Sequence, residues 1–323
     1  MKKYLFICCT PLQGVIAKRI IETEKLDKRK CVLFFYTSFD NNRYRKSFND
    51  LSKLCSDSLY YVWEPNFPKY IFEAKKFFNS YKYSRLYFAS IDSIFVQLAV
   101  SQTKNIEIYT FDDGSANIVP SSLYYRKQKL SFKRLVFKIL GNRYSSQKIK
   151  KIIKQHYTIY PNLQNISSNT VNIKLFNENT HNSYKVNAKL SATNCVVILG
   201  TVYEEVFKDS TDIDSIKDFI TRLASQKNSP VYYISHPREK DWARHGLKEI
   251  QSDLIAEEVI LSLLYKFNKI EVYSIGSTVQ LNLASVEQID NIFIKVENEK
   301  NSIKELRFLE SQITGQPYKL IEV

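Results

Sequence analysis

Short apolar segments alternate with longer segments of helical character along this chain, and this pattern constrains the fold most. The short segments are rich in β-branched and aromatic residues, as in VLFFY (32–36) and CVVIL (195–199). Such alternation is typical of α/β layers around a parallel sheet. The pattern predicts strands at 4–9, 32–36, 86–89, 106–110, 195–199, 231–235, 270–273 and 292–296. It predicts helices at 12–23, 44–55, 91–100, 215–225, 256–266 and 279–284.

The length and one polar stretch predict two domains. A chain of 323 residues exceeds what one small core needs. Residues 162–191 are rich in Asn, Ser and Thr with little periodicity, which is typical of a connector. We therefore predict an N-terminal α/β domain at 1–190 and a C-terminal α/β domain at 191–323.

The location is predicted from cysteines and hydropathy. Five scattered cysteines without a CxxC pair do not fit structural zinc or a disulfide framework, so a reducing compartment is expected. The apolar run after the basic start is too short for a signal peptide, and no run reaches the roughly 18 residues of a membrane span. A cytoplasmic protein is predicted.

Positive charge is concentrated in one segment. The net charge is +14, and no Asp or Glu occurs from Gly114 to Asn177. The cations there are Arg126, Lys127, Lys129, Lys133, Arg134, Lys138, Arg143, Lys148, Lys150, Lys151, Lys154 and Lys174. Apolar residues interleave with them, so the segment 126–154 is predicted to form helices that bind an anionic membrane surface. A solvated basic helix and a nucleic-acid surface are the alternatives.

Three of only seven glycines follow predicted strands directly: Gly114, Gly200 and Gly276. The carboxyl ends of parallel strands are where open α/β folds bind ligands. Glycines in both halves therefore indicate a cleft between two domains, although each could also serve only a turn.

Asp112 and Asp113 end one predicted strand and are closed by Gly114. A carboxylate at a strand end can act as a general base or a metal ligand. Since neighbours in a strand point to opposite faces, we expect at most one to face the cleft while the other fixes the turn. The alternative is an Asp-Asp-Gly turn without chemistry.

His236, Pro237 and Arg238 end another predicted strand. Arginine can bind a phosphate through two nitrogens and histidine can donate a proton to it, so an anionic ligand is predicted. A structural histidine is the alternative. The other histidines lie in polar or loop-like sequence without companions, and no catalytic role is predicted for them.

Gly276, Ser277 and Thr278 lead from a strand into a predicted helix. Backbone N–H groups and hydroxyls at such a position can bind one phosphate, or can simply cap the helix. Glu257 and Glu258 begin the preceding helix, where one could bind a ribose diol or act only on the helix dipole. GxGxxG, HExxH and GxSxG are all absent, which removes support for dinucleotide-binding, zinc-protease and esterase signatures.

The ordered set of these motifs resembles glycosyltransferase family 52, the bacterial lipooligosaccharide sialyltransferases. The likeness is carried by FICCTPLQ (6–13), LYFAS (86–90), TFDDG (110–114), HYTI (156–159), ILG (198–200) and HPR (236–238). The Asp-Asp-Gly and His-Pro pair is also shared with other bacterial sialyl- and polysialyltransferases. Each motif alone is weak, but the ordered set is fairly specific.

The resemblance implies a GT-B-like fold with two Rossmann-type α/β domains facing across a cleft. It implies CMP-sialic acid as donor, no cofactor, no required metal and inverting transfer to a galactose-type hydroxyl of lipooligosaccharide or capsule. His236 would be the general acid on the CMP phosphate, with Ser277 and Thr278 as phosphate contacts. The remaining donor-side residues would be Gly200, Thr201, Pro237, Arg238, Glu257, Glu258 and Gly276. A homodimer is suggested only by the family.

One departure from the family concerns the base. Some members carry an Asp two residues after a Leu-Gly-Ser-Pro-like start, where this chain has Tyr203, followed by Glu204 and Glu205. Either glutamate could take the role, or the base could be Asp112 or Asp113, as in the related families. The aspartate pair is favoured because it is intact at a strand end. The rival functions are a metal-dependent phosphohydrolase using both aspartates and a non-catalytic basic module that binds nucleic acid or membrane.

Overall fold

The computed structural model describes residues 2–103, 105–126, 132–176, 194–207, 213–239 and 247–323, without the side chain of residue 133. The chain divides into two units, Met1–Leu175 and Phe176–Val323. The boundary predicted near residue 190 lies outside the described residues. Among the described residues, no helix is both long and apolar enough to cross a membrane.

The described part of the first unit contains a seven-stranded parallel sheet with helices on the connections. Its strands are β1 (Lys3–Cys8), β2 (Cys31–Thr37), β3 (Asp57–Val62), β4 (Tyr83–Phe88), β5 (Glu107–Phe111), β6 (Ile153–Thr158) and β7 (Thr170–Asn172). Its helices are α1 (Pro11–Thr23), α2 (Asn42–Ser52), α3 (Lys69–Phe78), α4 (Ile94–Gln102), α5 (Phe132–Ile139) and α6 (Ser146–Lys150). The strand order is β3-β2-β1-β4-β5-β6-β7.

Continuous apolar runs explain why the central strands of this sheet are buried. Every residue of β2 is buried, as expected for a parallel strand covered on both faces. In β1, Ile7 pairs with Phe34 on one side and Phe88 on the other. Phe34 lies at the centre of an aromatic cluster with Phe78 and Phe95, at ring distances of 5.0 and 5.8 Å.

The described part of the second unit contains a six-stranded parallel sheet. Its strands are β8 (Asn194–Leu199), β9 (Val231–Ile234), β10 (Lys248–Glu249), β11 (Lys269–Ser274), β12 (Ile289–Lys295) and β13 (Lys319–Glu322). Its helices are α7 (Tyr203–Val206), α8 (Ile213–Ser225), α9 (Ala256–Leu263), α10 (Thr278–Leu283) and α11 (Asn301–Thr314). The order β10-β9-β8-β11-β12-β13 is the Rossmann order, and the first sheet has the same order with β7 added.

Each sheet has a point where the strand order reverses. It lies between β1 and β4 in the first unit and between β8 and β11 in the second. Loops at the carboxyl ends of two strands diverge there and leave room for a ligand. The motifs predicted from the sequence lie in loops at these edges.

The predicted strands and helices are all present, with ends displaced by three residues at most. The sequence predicts helices throughout the basic segment 126–154, and this is only partly right. The segment contains α5 and α6, but its last residues begin the strand β6. The predicted connector also contains β7. These short strands carry many polar residues, so their sequences lack the continuous apolar runs that identify the central strands.

Candidate active site

The Asp-Asp-Gly turn after β5 places its two carboxylates in different surroundings. Asp112 is fully buried, whereas Asp113 is half-buried. Gly114 follows with φ of 55°, in the left-handed region where glycine meets no steric penalty. The two side chains therefore have separate sets of partners, and only Asp113 is open to a ligand.

Asp112 is held inside the unit by four donors. Its Oδ1 accepts from His156 Nε2 at 2.9 Å and Asn165 Nδ2 at 3.1 Å. Its Oδ2 accepts from Thr158 Oγ1 at 2.8 Å and the Ile159 N–H at 2.7 Å. This network joins β5 to β6 and the loop after it. Asp112 therefore has the surroundings of a structural carboxylate.

His156 corrects a prediction. The sequence indicated a polar or loop-like position without companions, and this is wrong. His156 lies on β6, is fully buried, and links Asp112 to Thr110, whose Oγ1 is 2.8 Å from Nδ1. Its partners lie more than forty residues away in sequence, so its immediate neighbours gave no sign of them.

Asp113 accepts hydrogen bonds from three neutral side chains. Gln13 Nε2 donates to Oδ1 at 2.6 Å, and Oδ2 accepts from Tyr124 Oη at 2.6 Å and Ser90 Oγ at 3.0 Å. Its own N–H donates to Asn117 Oδ1 at 2.6 Å. Gln13 follows β1 and Ser90 follows β4, so these residues meet where the strand order reverses.

Two neighbours of Asp113 stay protonated over the ordinary pH range. Burial, together with the nearby Asp113 carboxylate, raises the pKa of the Tyr124 hydroxyl well above its usual value. The same causes raise the pKa of the Cys9 thiol to about 12. Tyr124 therefore remains a donor to Asp113, and Cys9 remains a neutral thiol beside it.

His236 lies in a tight turn after β9. Its Nδ1 accepts the Arg238 N–H at 3.1 Å, so in this geometry the ring carries its proton on Nε2. Glu239 closes the turn by accepting the His236 N–H at 3.1 Å and the Tyr233 hydroxyl at 2.6 Å. A Cβ on Gly200 would lie 2.0 Å from a Glu239 carboxylate oxygen and 2.6 Å from the Tyr233 hydroxyl, so a side chain there would force this hydrogen-bonded pair to shift.

Arg238 forms an ion pair through two nitrogens with Glu205, with Nη2 2.8 Å from Oε2. Hydrogen bonding to this guanidinium lowers the pKa of Glu205. Glu204, next to it, is exposed, and Lys300 Nζ donates to the backbone carbonyls of both glutamates. Tyr203 is buried.

The Gly-Ser-Thr segment turns from β11 into α10. Ser277 caps the helix, with its Oγ accepting the Val279 N–H at 3.2 Å, and Thr278 is the first helical residue. A Cβ on Gly276 would come within 2.9 Å of Ile303 on α11. Helix capping, the alternative to phosphate binding at this turn, is therefore present, and phosphate binding stays a prediction.

Glu257 and Glu258 at the start of α9 have protein partners. Glu257 is buried and its Oε1 accepts from Asn282 Nδ2 at 2.6 Å. Glu258 Oε2 lies 3.4 Å from the Ile255 N–H, which donates to it. These contacts favour a structural role over binding of a ribose diol.

Within the second unit, three predicted donor-side segments share one sheet edge. Gly200 and Thr201 follow β8, His236 to Arg238 follow β9, and Gly276 to Thr278 follow β11. β8 pairs in parallel with both neighbours, so these segments emerge side by side. Among the described residues, no group of three or more His, Cys, Asp or Glu side chains could hold a metal ion.

The sequence motifs overlooked the groups that orient the candidate catalytic residues. Gln13 and Ser90 lie inside the segments 6–13 and 86–90 that resemble family 52, and this resemblance was the only sign in the sequence that they lie near the site. Tyr124 and Glu239 had none, because tyrosine and glutamate are common on any surface.

A family comparison extends over most of the chain. Residues 28–298 match the model of glycosyltransferase family 52. The chain belongs to this family. It is therefore an enzyme that transfers a sugar, as the motifs had indicated.

Curated relatives cover nearly the whole chain. An N-acetyllactosaminide alpha-2,3-sialyltransferase of Haemophilus influenzae is 31% identical over 90% of this chain and 91% of its own. A CMP-N-acetylneuraminate:beta-galactoside alpha-2,3-sialyltransferase of Pasteurella multocida is 29% identical over 91% of this chain and 92% of its own.

Solved structures support the fold. A putative UDP-N-acetylglucosamine 2-epimerase from Listeria monocytogenes aligns with a TM-score of 0.54 at 9% identity, covering 99% of this chain and 92% of that one. At this identity the likeness concerns the fold alone. With two parallel-sheet α/β units, the fold class is GT-B, as predicted.

Proposed function

We propose that this family 52 enzyme is a sialyltransferase that moves sialic acid from CMP-sialic acid to a terminal galactose hydroxyl of a bacterial surface glycan. The names of the two relatives support this donor, a β-galactoside acceptor and an α2,3 linkage. The acceptor would be part of lipooligosaccharide or capsule.

The observation that carries the mechanism is the contrast between the two aspartates. Asp113 is half-buried and is oriented by three donors, whereas Asp112 is enclosed by four. A general base must reach the hydroxyl whose proton it takes. Asp113 meets that requirement and Asp112 does not, so Asp113 is the proposed base.

The proposed reaction is a single displacement with inversion. The acceptor oxygen forms a bond to the anomeric carbon of sialic acid as the bond from that carbon to the CMP phosphate oxygen breaks. Asp113 takes the proton of the acceptor hydroxyl. His236 acts as the general acid in its imidazolium form: a second proton on Nδ1 displaces the Arg238 N–H, and the Nε2 proton then passes to the departing phosphate oxygen, which leaves a neutral ring. The second unit supplies Arg238, Ser277 and Thr278 as phosphate contacts without a metal.

Glu204 and Glu205 remain the alternative bases. Glu205 is engaged by Arg238, and its lowered pKa makes it a weaker proton acceptor. Glu204 is exposed on a short helix. Asp113 is preferred for these reasons.

Calorimetry and a transfer assay test the proposal together. We expect CMP to bind while UDP and GDP do not, and sialic acid to pass from CMP-sialic acid to N-acetyllactosamine. Equal binding of all three nucleotides, or transfer by an Asp113→Asn variant at the wild-type rate beside an inactive Glu204→Gln or Glu205→Gln variant, would contradict the donor or the base respectively.

We also propose that the enzyme associates with the inner face of the cytoplasmic membrane through the segment 126–154. On α5, Phe132, Leu135 and Ile139 are 82%, 55% and 78% exposed and recur at the spacing of one helix face. Arg134 and Lys138 lie beside them, with Arg143 and Lys148, around a cavity of about 590 Å³. Apolar and cationic groups together match the acyl and headgroup layers of an anionic membrane.

Vesicle co-sedimentation tests this surface. We expect binding to vesicles of anionic phospholipid at low salt, release as salt rises, and weaker binding of a Leu135→Ser, Ile139→Ser double variant. Phe72→Ser on α3, where Phe72 is 54% exposed, is the matched control and should bind as wild type does. Equal binding to neutral vesicles, or no binding to either, would contradict the proposal.

A further inference from the structure

Three segments distant in sequence converge on the Asp113 carboxylate. They contribute Gln13 at the start of α1, Ser90 after β4, and Tyr124 in the loop after β5. We propose that these side chains are positioning residues that hold Asp113 in the orientation needed to receive the acceptor proton. This inference rests on the proposed role of Asp113 as the base. We refer to Gln13, Ser90 and Tyr124 as the Asp113 clamp.

The orientation of Gln13 is fixed by its other end. Its Oε1 accepts the Cys9 N–H at 2.8 Å, which directs Nε2 toward Ser90 at 3.0 Å and Asp113 at 2.6 Å. Thr10 caps α1 by accepting the Gln13 N–H at 3.3 Å. The start of α1 thus places the Gln13 amide beside Asp113, at the sheet edge where the strand order reverses.

The clamp leaves the carboxylate room for one more partner. An ionised carboxylate offers about four acceptor positions. The three clamp contacts use one position on Oδ1 and two on Oδ2. The acceptor hydroxyl is therefore received on Oδ1, opposite the Tyr124 and Ser90 contacts. Proton transfer requires the acceptor hydroxyl to be aligned with a carboxylate oxygen and not merely close to it, and the clamp fixes the orientation of that oxygen.

The clamp is built only from neutral donors. Tyr124 is buried, with 2% of its surface exposed, and its hydroxyl stays protonated. An amide and two hydroxyls orient the carboxylate without placing a cation against it. This arrangement suits a base, which must take up a proton during the reaction and release it afterwards.

The test compares two tyrosines that each lose one hydroxyl. Tyr124→Phe removes a 2.6 Å hydrogen bond to Asp113, and Tyr61→Phe removes a 2.6 Å hydrogen bond to Glu73. We expect Tyr124→Phe and Gln13→Ala each to lower kcat for sialyl transfer by about 10- to 100-fold, since a misplacement of about 1 Å can cost about 10²-fold in rate. CMP affinity should be unchanged, and Tyr61→Phe should retain wild-type kcat.

The pH dependence of kcat separates positioning from general damage. Donors to a carboxylate favour its ionised form, so removing one should move the acid limb of the profile to higher pH. The other titratable groups beside Asp113 and Tyr124 are the Cys9 thiol, which stays protonated, and Asp92, whose pKa is raised by burial and by the Asp113 carboxylate. Adding Tyr124→Phe to Asp113→Asn should cause no further loss of transfer, because the proposed effect of the clamp on transfer passes through Asp113. Restoring an amide at a shorter reach, with Gln13→Asn, should recover part of the rate.

The outcomes distinguish the two proposals. Wild-type transfer by Asp113→Asn would overturn the base assignment itself. If Asp113→Asn is inactive while Tyr124→Phe and Gln13→Ala behave like Tyr61→Phe, only the clamp is overturned. The clamp would also be overturned if Tyr124→Phe left the pH profile unchanged and still lowered kcat in the Asp113→Asn background. Such an effect would be independent of Asp113.

Discussion

Adjacent aspartates should respond in opposite ways to the same substitution by asparagine. Asp112→Asn should mainly destabilise the protein, whereas Asp113→Asn should mainly abolish transfer. The reason lies in the partners of each carboxylate. An asparagine replaces one acceptor oxygen by an NH₂ group, which is tolerated only where the facing groups can become acceptors.

At position 112 the amide has no good orientation. Oδ2 faces the Ile159 N–H, which cannot accept, so the amide oxygen must stay there. The NH₂ then faces His156 and Asn165. His156 can change its ring tautomer, but the Asn165 amide remains opposed to another donor unless it rotates. Losing one bond to a buried charge and weakening the others costs about 2–4 kcal/mol.

At position 113 the amide can be accommodated. The oxygen can stay toward Gln13 while the NH₂ faces the hydroxyls of Ser90 and Tyr124, which can rotate to accept. The cost should be about 1 kcal/mol or less. Transfer should nevertheless fall by about 10²- to 10⁴-fold, because an amide cannot take the proton.

Thermal unfolding and sialyl transfer, measured on both variants, check this contrast. For a unit of this size, 1 kcal/mol corresponds to about 2–4 °C, so Asp112→Asn should lower the midpoint by roughly 5–15 °C. Asp113→Asn should lower it by less than about 4 °C. The reasoning is refuted if both variants melt alike, or if Asp112→Asn keeps the wild-type midpoint.

Three further outcomes follow from the second unit. His236→Ala should slow both transfer and donor hydrolysis by about 10²- to 10⁴-fold while calorimetry still detects CMP binding, because the leaving phosphate loses its proton donor. Gly200→Ala should displace Glu239 from the His236 N–H and destabilise the protein by about 1–3 kcal/mol, measured by denaturant unfolding. Transfer should continue in excess EDTA, and a complete loss restored by magnesium would support the phosphohydrolase rival.

The sequence predicted best what depends on burial along a single segment. Runs such as 32–36 and 195–199 are apolar throughout, and they became the buried strands β2 and β8. The strand ends after them could then be located, which placed the Asp-Asp-Gly, His-Pro-Arg and Gly-Ser-Thr motifs at sheet edges. Periodicity and strand ends are local properties, so one sequence suffices for them.

Partnerships across the sheet could not be predicted. Gln13 lies 100 residues from Asp113, and His156 lies 44 residues from Asp112. Strand order decides which loops meet, and no local pattern encodes that order. The polar strand β6, with the sequence IKQHYT, was missed for a related reason. Its His156 is buried because Asp112 and Thr110 satisfy it.

The candidate bases differ most in the charge of their partners. Glu205 faces the Arg238 guanidinium, which stabilises its ionised form and lowers its pKa. Such a carboxylate binds a proton reluctantly and is better suited to holding Arg238 in place. Asp113 faces an amide and two hydroxyls. These donors orient it without an opposing cation, so accepting a proton breaks no ion pair.

If Glu205 were instead the base, Arg238→Ala should raise its pKa and shift the acid limb of the rate profile to higher pH. If Asp113 is the base, that limb should stay in place in Arg238→Ala.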